Sequence, residues 1–533
     1  MDLTHRSGMS SSTSRIPGHV FVIMGDIRNI NCDAWLLPTD SALTLSPSWR
    51  EDTALVEGIR QLKHTAFERG DSLAAALPGV KGNRPQPVAT AVPIHGLDAP
   101  EQLKEPLEAF IDTAVQELAI SNAPLKPGRS KRLLAIPFFG TAGAGGDMQR
   151  GEIIKVLLDG LAAGAERHGV DAVLVLRDPA AYGLAQSLRR TSDAWPALDK
   201  RLKEQVRRLT DIGSRGKLVP FMGAGTSVSG GGPQWSTLLD DLAGEVGLGK
   251  HREALQKLGS LDQASLIQER FAERASNDAT GTNQDFRASI ASKVALKRYG
   301  LAPALLSSIP SDGAITLNYD ELFELASEDQ GNPRSIIPSS YASNTHHRWL
   351  LKLHGTASLP DSIILTRDDY LGFKSNKQAL TGLVQAHLMT HHMLFVGFGL
   401  SDQHFHEIIH DVRRAIPHTS KTPHALGTAL VLTEDEMQRG LWEKHLDIVH
   451  MSPVGTPLDE AGRTLEIFLD MLDATFAANH TYLLADKYEG ALSAPDRSLR
   501  DKLLELEEHL PEGASPGATK IVRTMLAALG HEL

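Results

Sequence analysis

Short apolar runs alternate with amphipathic ones along two long stretches of the chain, and a purely helical pattern follows. In residues 18–195 the runs HVFVIMGD, CDAWLLPTD, PVATAVPIHG, KRLLAIPFFG and DAVLVLRD are brief, apolar and closed by turn residues, which predicts strands. Between them, Leu107, Phe110, Ile111, Ala114, Val115 and Leu118 fall at helical spacing and predict a helix near Leu103–Ser121; another covers Gly151–His168. Such alternation predicts an α/β domain with a largely parallel sheet. Residues 196–213 put Leu198, Leu202, Val206 and Leu209 on one stripe with Lys and Arg opposite, the pattern of a linking helix with a solvated face. A second α/β unit spans 214–455, with strands expected at Leu218–Met222, Ala314–Leu317, Leu350–Leu353, Ser362–Leu365, Met393–Phe398 and Ala429–Leu432. Residues 456–533 are expected to be a helical extension: Leu499, Leu503, Leu506 and Leu510 precede Pro511, and Ile521, Met525 and Leu529 repeat the spacing. Residues 1–17 are Ser-rich without an apolar centre, so they read as a flexible tail and not as a secretory signal.

Composition narrows the function classes. The 533 residues carry 54 Lys+Arg against 65 Asp+Glu, a formal charge of −11, so nucleic acid is not indicated as a partner of the whole chain. Cys32 is the sole cysteine, which excludes an intrachain disulfide and any zinc site built on four cysteines or on two cysteines and two histidines. The longest strongly apolar stretch, Met393–Leu400, is far short of the ~20 residues a membrane helix needs. No membrane partner and a cytoplasmic location are therefore expected, with no metal.

Four segments carry candidate chemistry. LVPFMGAGTSVSGGGPQW runs a strand into Gly223-Ala224-Gly225 and then Thr226-Ser227, where small residues and a following helix start let backbone N–H groups approach a pyrophosphate; it reads equally as a tight strand–helix turn. AITLNYD ends a strand in Asn318 and Asp320, a position where ligands sit in open α/β sheets, or where a side chain caps the next helix. WLLKLHG ends in His354, a general-base candidate or a buried structural histidine. MLFVGFGLSD leads through Gly397 and Gly399 to Ser401 and Asp402, a second phosphate or ribose turn or a helix cap.

In this order and spacing, GAGTSVSGGGPQW, TLNYD, LKLHG followed by ILTRDDY, and LFVGFGLSD resemble the sirtuin (silent information regulator) family, in its bacterial branch without a zinc module. The resemblance covers about residues 215–450. It implies a Rossmann-like parallel sheet that takes NAD as substrate and breaks the nicotinamide–ribose bond. By position it implies phosphate contacts from Gly223, Ala224, Gly225, Thr226 and Ser227, a nicotinamide-side pair Asn318 and Asp320, a catalytic His354, and Gly397 and Ser401 in the adenosine-side loop. The deacylases of the family have an acidic residue, an aromatic and an arginine where this chain has Gln234, Trp235 and Ser236, and hold zinc on four cysteines. Without them the resemblance points to water as the acceptor: NAD+ hydrolysis to ADP-ribose and nicotinamide, depleting NAD in anti-phage defence. In that reading Asn318 orients water or the ribose hydroxyls and His354 accepts a proton. A non-enzymatic ADP-ribose or NAD sensor and an NAD-dependent deacylase are the alternatives. An enzyme that drains its own cell needs restraint, so a homo-oligomer or a defence-system partner protein is expected.

Two further patterns compete for attention. His406-Glu407-Ile408-Ile409-His410 satisfies H-E-x-x-H, the zinc-peptidase spacing, but Phe405, Ile408, Ile409 and Val412 give its helix a buried face and no clear third ligand follows at a family spacing. GDIRNINCDAWLLPTD and LLAIPFFGTAGAGGDMQRGEII resemble the opening and the glycine-rich loop of a macro domain, with Asp26, Gly140, Gly143 and Gly145 as the implied ADP-ribose contacts. Pro38-Thr39-Asp40 replaces that family's double asparagine. The expected architecture is thus α/β: a macro-like domain, a Rossmann-like sirtuin domain lacking the zinc module, and a helical extension.

Overall fold

Each alternating stretch builds its own sheet in the computed structural model, which describes all residues except 1–16, 63–65, 68, 80–83, 94–96, 142–145, 277–284, 339–347, 401, 416–424, 478, 511–514 and 532–533. The expected N-terminal tail lies almost wholly outside the described residues. The first sheet contains β1 (Val20–Met24), β2 (Ala34–Thr39), β3 (Ala74–Ala76), β4 (Gln86–Ala91), β5 (Leu133–Pro137) and β6 (Asp171–Leu176). Their order is β1-β6-β5-β2-β4-β3, parallel throughout except for β3 against β4. Helices Lys104–Ile120 and Arg150–His168 stand close to the expected ranges. β6 is buried on both faces, which is why DAVLVL is a continuous apolar run and not an alternating one.

The second sheet is wholly parallel: β7 (Leu218–Met222), β8 (Gly313–Thr316), β9 (Ser335–Ile337), β10 (Trp349–Lys352), β11 (His392–Val396), β12 (Gly427–Thr433) and β13 (Asp447–Ser452), in the order β13-β12-β11-β7-β8-β10-β9. β7 comes first in the chain yet lies in the middle, with later strands added on both sides. That reversal opens a crevice at the carboxyl ends of the central strands. Register makes the crevice level: Met222 pairs with Val396 and with Thr316, and Thr316 with Lys352. The residues that follow those four emerge side by side.

One expected strand is absent. Ile363, Ile364 and Leu365 are buried, but Pro360–Ser362 is a single 3-10 turn and Thr366 with Asp369 forms a reciprocal capping box for the helix Arg367–Asn376. Proline on one side and the cap on the other commit this backbone before it can pair as a strand. β3, β9 and β13 are short or mixed in pattern and are not predicted by periodicity.

The helical extension is present as Ala494–Glu508 and Pro516–Ala528, preceded by Leu458–Phe476. This last helix packs on β1, β12, β13 and the helices Pro179–Thr191, Lys200–Ser214 and Leu301–Ser307, so it is the seam between the two sheets. Its buried face is charged. Arg463 grips Asp171 through Nε and Nη2 at 2.7–3.1 Å, and Glu466 accepts from Arg129 at 2.9 Å. Asp470 accepts from Arg189, from Trp195 Nε1 at 2.6 Å and from His19 at 2.9 Å. Asp473 accepts from Tyr182 and Ser308 hydroxyls, both at 2.5 Å. No described helix is long and apolar enough to cross a membrane.

The seam couples stability to pH. Burial pushes the Asp473 carboxyl up to about 7, assisted by the Asp470 charge and opposed by the bonds from Ser308 and Tyr182. The unfolded chain loses that proton near pH 4 and the folded chain keeps it until about 7, so this contribution to stability is complete below about pH 4 and is lost as pH rises through about 7. Urea midpoints of wild type and Asp473→Asn across that window test it: the variant is expected to lack the decline, and parallel curves would show that Asp473 is ionised in the fold. Arg189→Ala, which leaves Asp470 buried without its main cation, is expected to cost about 3–5 kcal/mol in the same assay.

Candidate active site

The crevice begins with a backbone contact. After β7, Gly223 N–H donates to Val396 O at 3.0 Å and Gly225 N–H donates to Gly397 O at 2.9 Å. Gly397 sits at φ +62°, and a Cβ there would lie 2.4 Å from Thr226 N; a Cβ on Gly223 would lie 2.5 Å from Gly397 O. Two glycine turns from separate strands therefore touch with no room for side chains. The chain then winds into a 3-10 segment, Ala224–Gly230.

Asn318 follows β8 and is locked against this turn. Its Nδ2 donates to Gly223 O (3.1 Å), Thr226 Oγ1 (3.2 Å) and Ser227 Oγ (3.0 Å). Three acceptors on one side of the amide fix which end is nitrogen. Its Oδ1 is buried and has no partner among the described residues. Ser227 Oγ donates to Asp320 Oδ2 at 2.7 Å, and Asp320 Oδ1 accepts from the N–H of Leu322, the first residue of the next helix. Lys352 donates to Asp320 O at 2.6 Å and to Glu324 at 2.5 Å. Burial raises the Asp320 and Glu324 carboxyls above their ordinary range, against the pull of the Lys352 charge.

His354 follows β10 and is 2 % exposed. Burial lowers its imidazole to about 4; the Asp402 charge opposes this and His404 adds to it. The ring is neutral at physiological pH. Its Nε2 is 3.4 Å from His404 Nδ1 and 3.9 Å from Asp402 Oδ2.

A cavity of about 350 Å³ brings these pieces together. Of the residues expected from sequence, Gly223, Ala224, Ser227, Asn318, Asp320, His354 and Gly397 line it. Gly225 and Thr226 stand behind the wall: Gly225 packs on Gly397, and Thr226 Oγ1 donates to Gly223 O at 2.9 Å. Ser401 lies outside the described residues. Trp235, Tyr370 and Asp402 also line the cavity. Tyr370 sits in ILTRDDY, where only the family resemblance marks it, and Asp402 reads from sequence as a helix cap. It is one, accepting from Phe405 N–H at 3.0 Å, but its other oxygen accepts from Tyr370 OH at 2.7 Å.

The H-E-x-x-H helix is Gln403–Ala415. His406, Glu407 and His410 are exposed, and His406 Nε2 is bonded to Leu400 O at 2.9 Å. Among the described residues, metal-ligating side chains converge elsewhere, at His354, Asp402 and His404.

In the N-terminal unit, Asp26 borders a cavity of about 300 Å³ with Arg28, Arg150 and Arg177. It accepts from Arg28 at 2.5 Å and from Arg177 at 2.6 Å. Burial alone would raise its carboxyl, but the bonds to Arg28 and the charges of Arg177 and Arg28 hold it below the usual range. Gly140, at φ +87°, packs against Leu103 away from this cavity, and Gly143 and Gly145 lie outside the described residues.

A parallel sheet with a switch-point crevice floored by glycine turns defines an open parallel α/β domain. Residues 312–448 match the sequence model of the SIR2-like domain. Defense-associated sirtuin 2 of Bacillus subtilis is 29% identical over 227 residues, 41% of this chain and 21% of that protein. The NAD(+) hydrolase ThsA of Enterococcus faecium is 26% identical over 239 residues, 44% of this chain and 47% of its own, and that of Bacillus cereus (strain MSX-D12) is 29% identical over 199 residues, 37% and 40%. The chain thus spans between about a fifth and a half of the length of these relatives. A macrodomain of Oceanobacillus iheyensis solved with ADP aligns with 34% of this chain and 94% of its own at 15% identity, with a TM-score of 0.27.

The glycine contact gives a clean comparison. Gly397→Ala meets both a left-handed φ and the Thr226 backbone, whereas Gly216→Ala meets φ +68° in open space. The φ alone costs about 1–2 kcal/mol. Thermal melts are expected to show a clearly larger loss at Gly397, and equal losses would mean that the two turns do not need their contact.

Proposed function

We propose that the chain is an NAD+ hydrolase that acts in defence against phage. The observation that carries this reading is the convergence of the two glycine turns, Asn318 and His354 on one cavity. The names of the similar proteins support the same chemistry. The diphosphate lies along the turn, where small residues permit close approach. The C–N bond between ribose and nicotinamide breaks with its electron pair leaving on nicotinamide, which departs neutral, and an oxocarbenium-like ribose remains. Water adds to that carbon and gives up one proton, so NAD+ and water become ADP-ribose, nicotinamide and a proton. Asn318 Oδ1, the buried acceptor without a partner, takes a hydrogen bond from the water or a ribose hydroxyl. An unmatched buried acceptor costs about 1–3 kcal/mol, and a bound ligand removes that cost. Neutral His354 receives the proton, and Asp402 steadies the resulting imidazolium.

The cavity beside Asp26 supports a second binding role. Three arginines around one pocket suit a diphosphate such as that of ADP-ribose, although Asp26 is already engaged by two of them. A cytoplasmic setting, and restraint by self-association or by a partner protein, belong to the same proposal.

Incubation of the full chain with NAD+ and mass identification of the products tests the reading. Nicotinamide and ADP-ribose are expected without any acylated peptide, which separates hydrolysis from deacylation and from sensing alone. Asn318→Ala and His354→Ala are each expected to slow nicotinamide release by about a hundredfold or more; wild-type rates in both would remove the proposal. Calorimetry with ADP-ribose is expected to show binding that weakens in Arg177→Ala, and no heat in wild type would remove the second role.

A further inference from the structure

We propose that His354, Asp402 and His404 form a site for one divalent transition-metal ion, for which zinc is the probe. One ligand atom from each comes within 4.8 Å of the other two. The separation of 3.4 Å between His354 Nε2 and His404 Nδ1 is long for a hydrogen bond. It equals the edge of a tetrahedron whose metal–nitrogen bonds are about 2.1 Å, which is about 3.4 Å. Asp402 Oδ2 lies 3.9 Å from His354 Nε2, and an inward movement of the carboxylate completes the face.

The surroundings orient all three ligands. His404 Nε2 lies 3.2 Å from Tyr370 O, and a carbonyl oxygen can only accept, so Nε2 carries the hydrogen and the Nδ1 lone pair is turned toward His354. A histidine that donates its second ring N–H to a carbonyl is the common outer support of a metal ligand. The ring is also clamped, stacked on Tyr370 with centroids 4.0 Å apart and on Phe373 at 3.8 Å. Asp402 is held through both oxygens, by Tyr370 OH and Phe405 N–H. Two imidazole nitrogens and a carboxylate oxygen favour zinc, iron(II) or manganese over calcium or magnesium. His354 and Asp402 line the crevice cavity, so an ion between them is reached from it.

An ion here engages the His354 lone pair that would otherwise accept a proton. Metal occupancy therefore suppresses turnover, a consequence that rests on the hydrolase reading, whereas metal binding itself does not. The full chain, stripped with chelator, is titrated with Zn2+ by calorimetry and with Co2+ by visible absorption. One equivalent of Zn2+ is expected, with Co2+ bands of a low-coordinate nitrogen–oxygen site. Binding is expected to weaken at least tenfold in His404→Gln and in Asp402→Asn, each checked for a wild-type thermal midpoint, and to persist in the double variant His406→Ala, His410→Ala. Failure of wild type to bind, or loss of binding only in the double variant, overturns the site. If one ligand variant does not fold, the other decides, and the cobalt spectrum of wild type decides without either. NAD+ turnover measured with and without Zn2+ separates the two proposals: metal bound with no turnover in stripped protein defeats the hydrolase alone, and turnover without metal binding defeats the site alone.

Discussion

The meeting of the 223–225 turn with Gly397 is the constraint on which the site depends. In energy it is modest, two backbone hydrogen bonds worth about 1 kcal/mol each net of solvent. In geometry it is severe, because no Cβ fits at either glycine. The contact sets how closely the tips of β7 and β11 approach. It leaves Gly223 O available to Asn318, and so orients the amide. The register of β8 and β10 then delivers Asn318 and His354 at the same height. A shape requirement at two glycines, more than any strong bond, assembles the four segments.

A second constraint acts at longer range. The Leu458–Phe476 helix carries its charges inward, toward Asp171, Arg129 and Arg189 of the first unit. Buried ion pairs of this kind add little net stability over apolar packing, since desolvation offsets most of the attraction. They are strict about partners, however, and so they fix how the two sheets sit. Nearer the crevice, Asn31 Nδ2 donates to Ser229 O at 2.8 Å, and Asn29 O accepts from Tyr299 N–H. The N-terminal unit thereby holds the far end of the glycine-rich turn. The first sheet is part of the framework of the crevice in the second.

Much of this was legible from sequence for a simple reason: parallel strands buried on both faces produce apolar runs that stand out, and the turns at their tips carry glycines and short polar residues. β7, β8, β10 and β11 and the polar residues after them were read in that way. What escaped depends on tertiary partners. Ile363–Leu365 has the residues of a strand, but Pro360 and the Thr366–Asp369 cap claim its backbone. Leu458–Phe476 looks like one more amphipathic helix, because sequence does not show that Arg463, Glu466, Asp470 and Asp473 have buried counterparts some 300 residues away. Gly225 and Thr226 follow the phosphate-turn pattern yet support it from behind. The His354–Asp402–His404 cluster joins residues 50 positions apart, and no spacing rule links them.

The charge of the crevice bears on which chemistry it suits. Among the described residues lining it there is no lysine or arginine; its polar side chains are Asn318, Gln403, Asp320, Asp402, Ser227, Ser260, Tyr319, Tyr370, Trp235 and neutral His354. A site built chiefly to grip phosphates would enlist guanidinium groups, and those line the N-terminal cavity instead, at Arg28, Arg150 and Arg177. In the proposed reading the diphosphate lies against the small residues of the glycine turn, with no cation beside it. The absence of cations has a compensating use. In the proposed reaction positive charge passes from the pyridinium to the ribose carbon as the bond opens, and a preorganised set of oxygen dipoles and carboxyls stabilises that charge where fixed cations would oppose it. The same electron-rich lining attracts a metal ion. The features that suit this crevice to an oxocarbenium-like ribose thus also make His354, Asp402 and His404 a competing destination for a divalent cation.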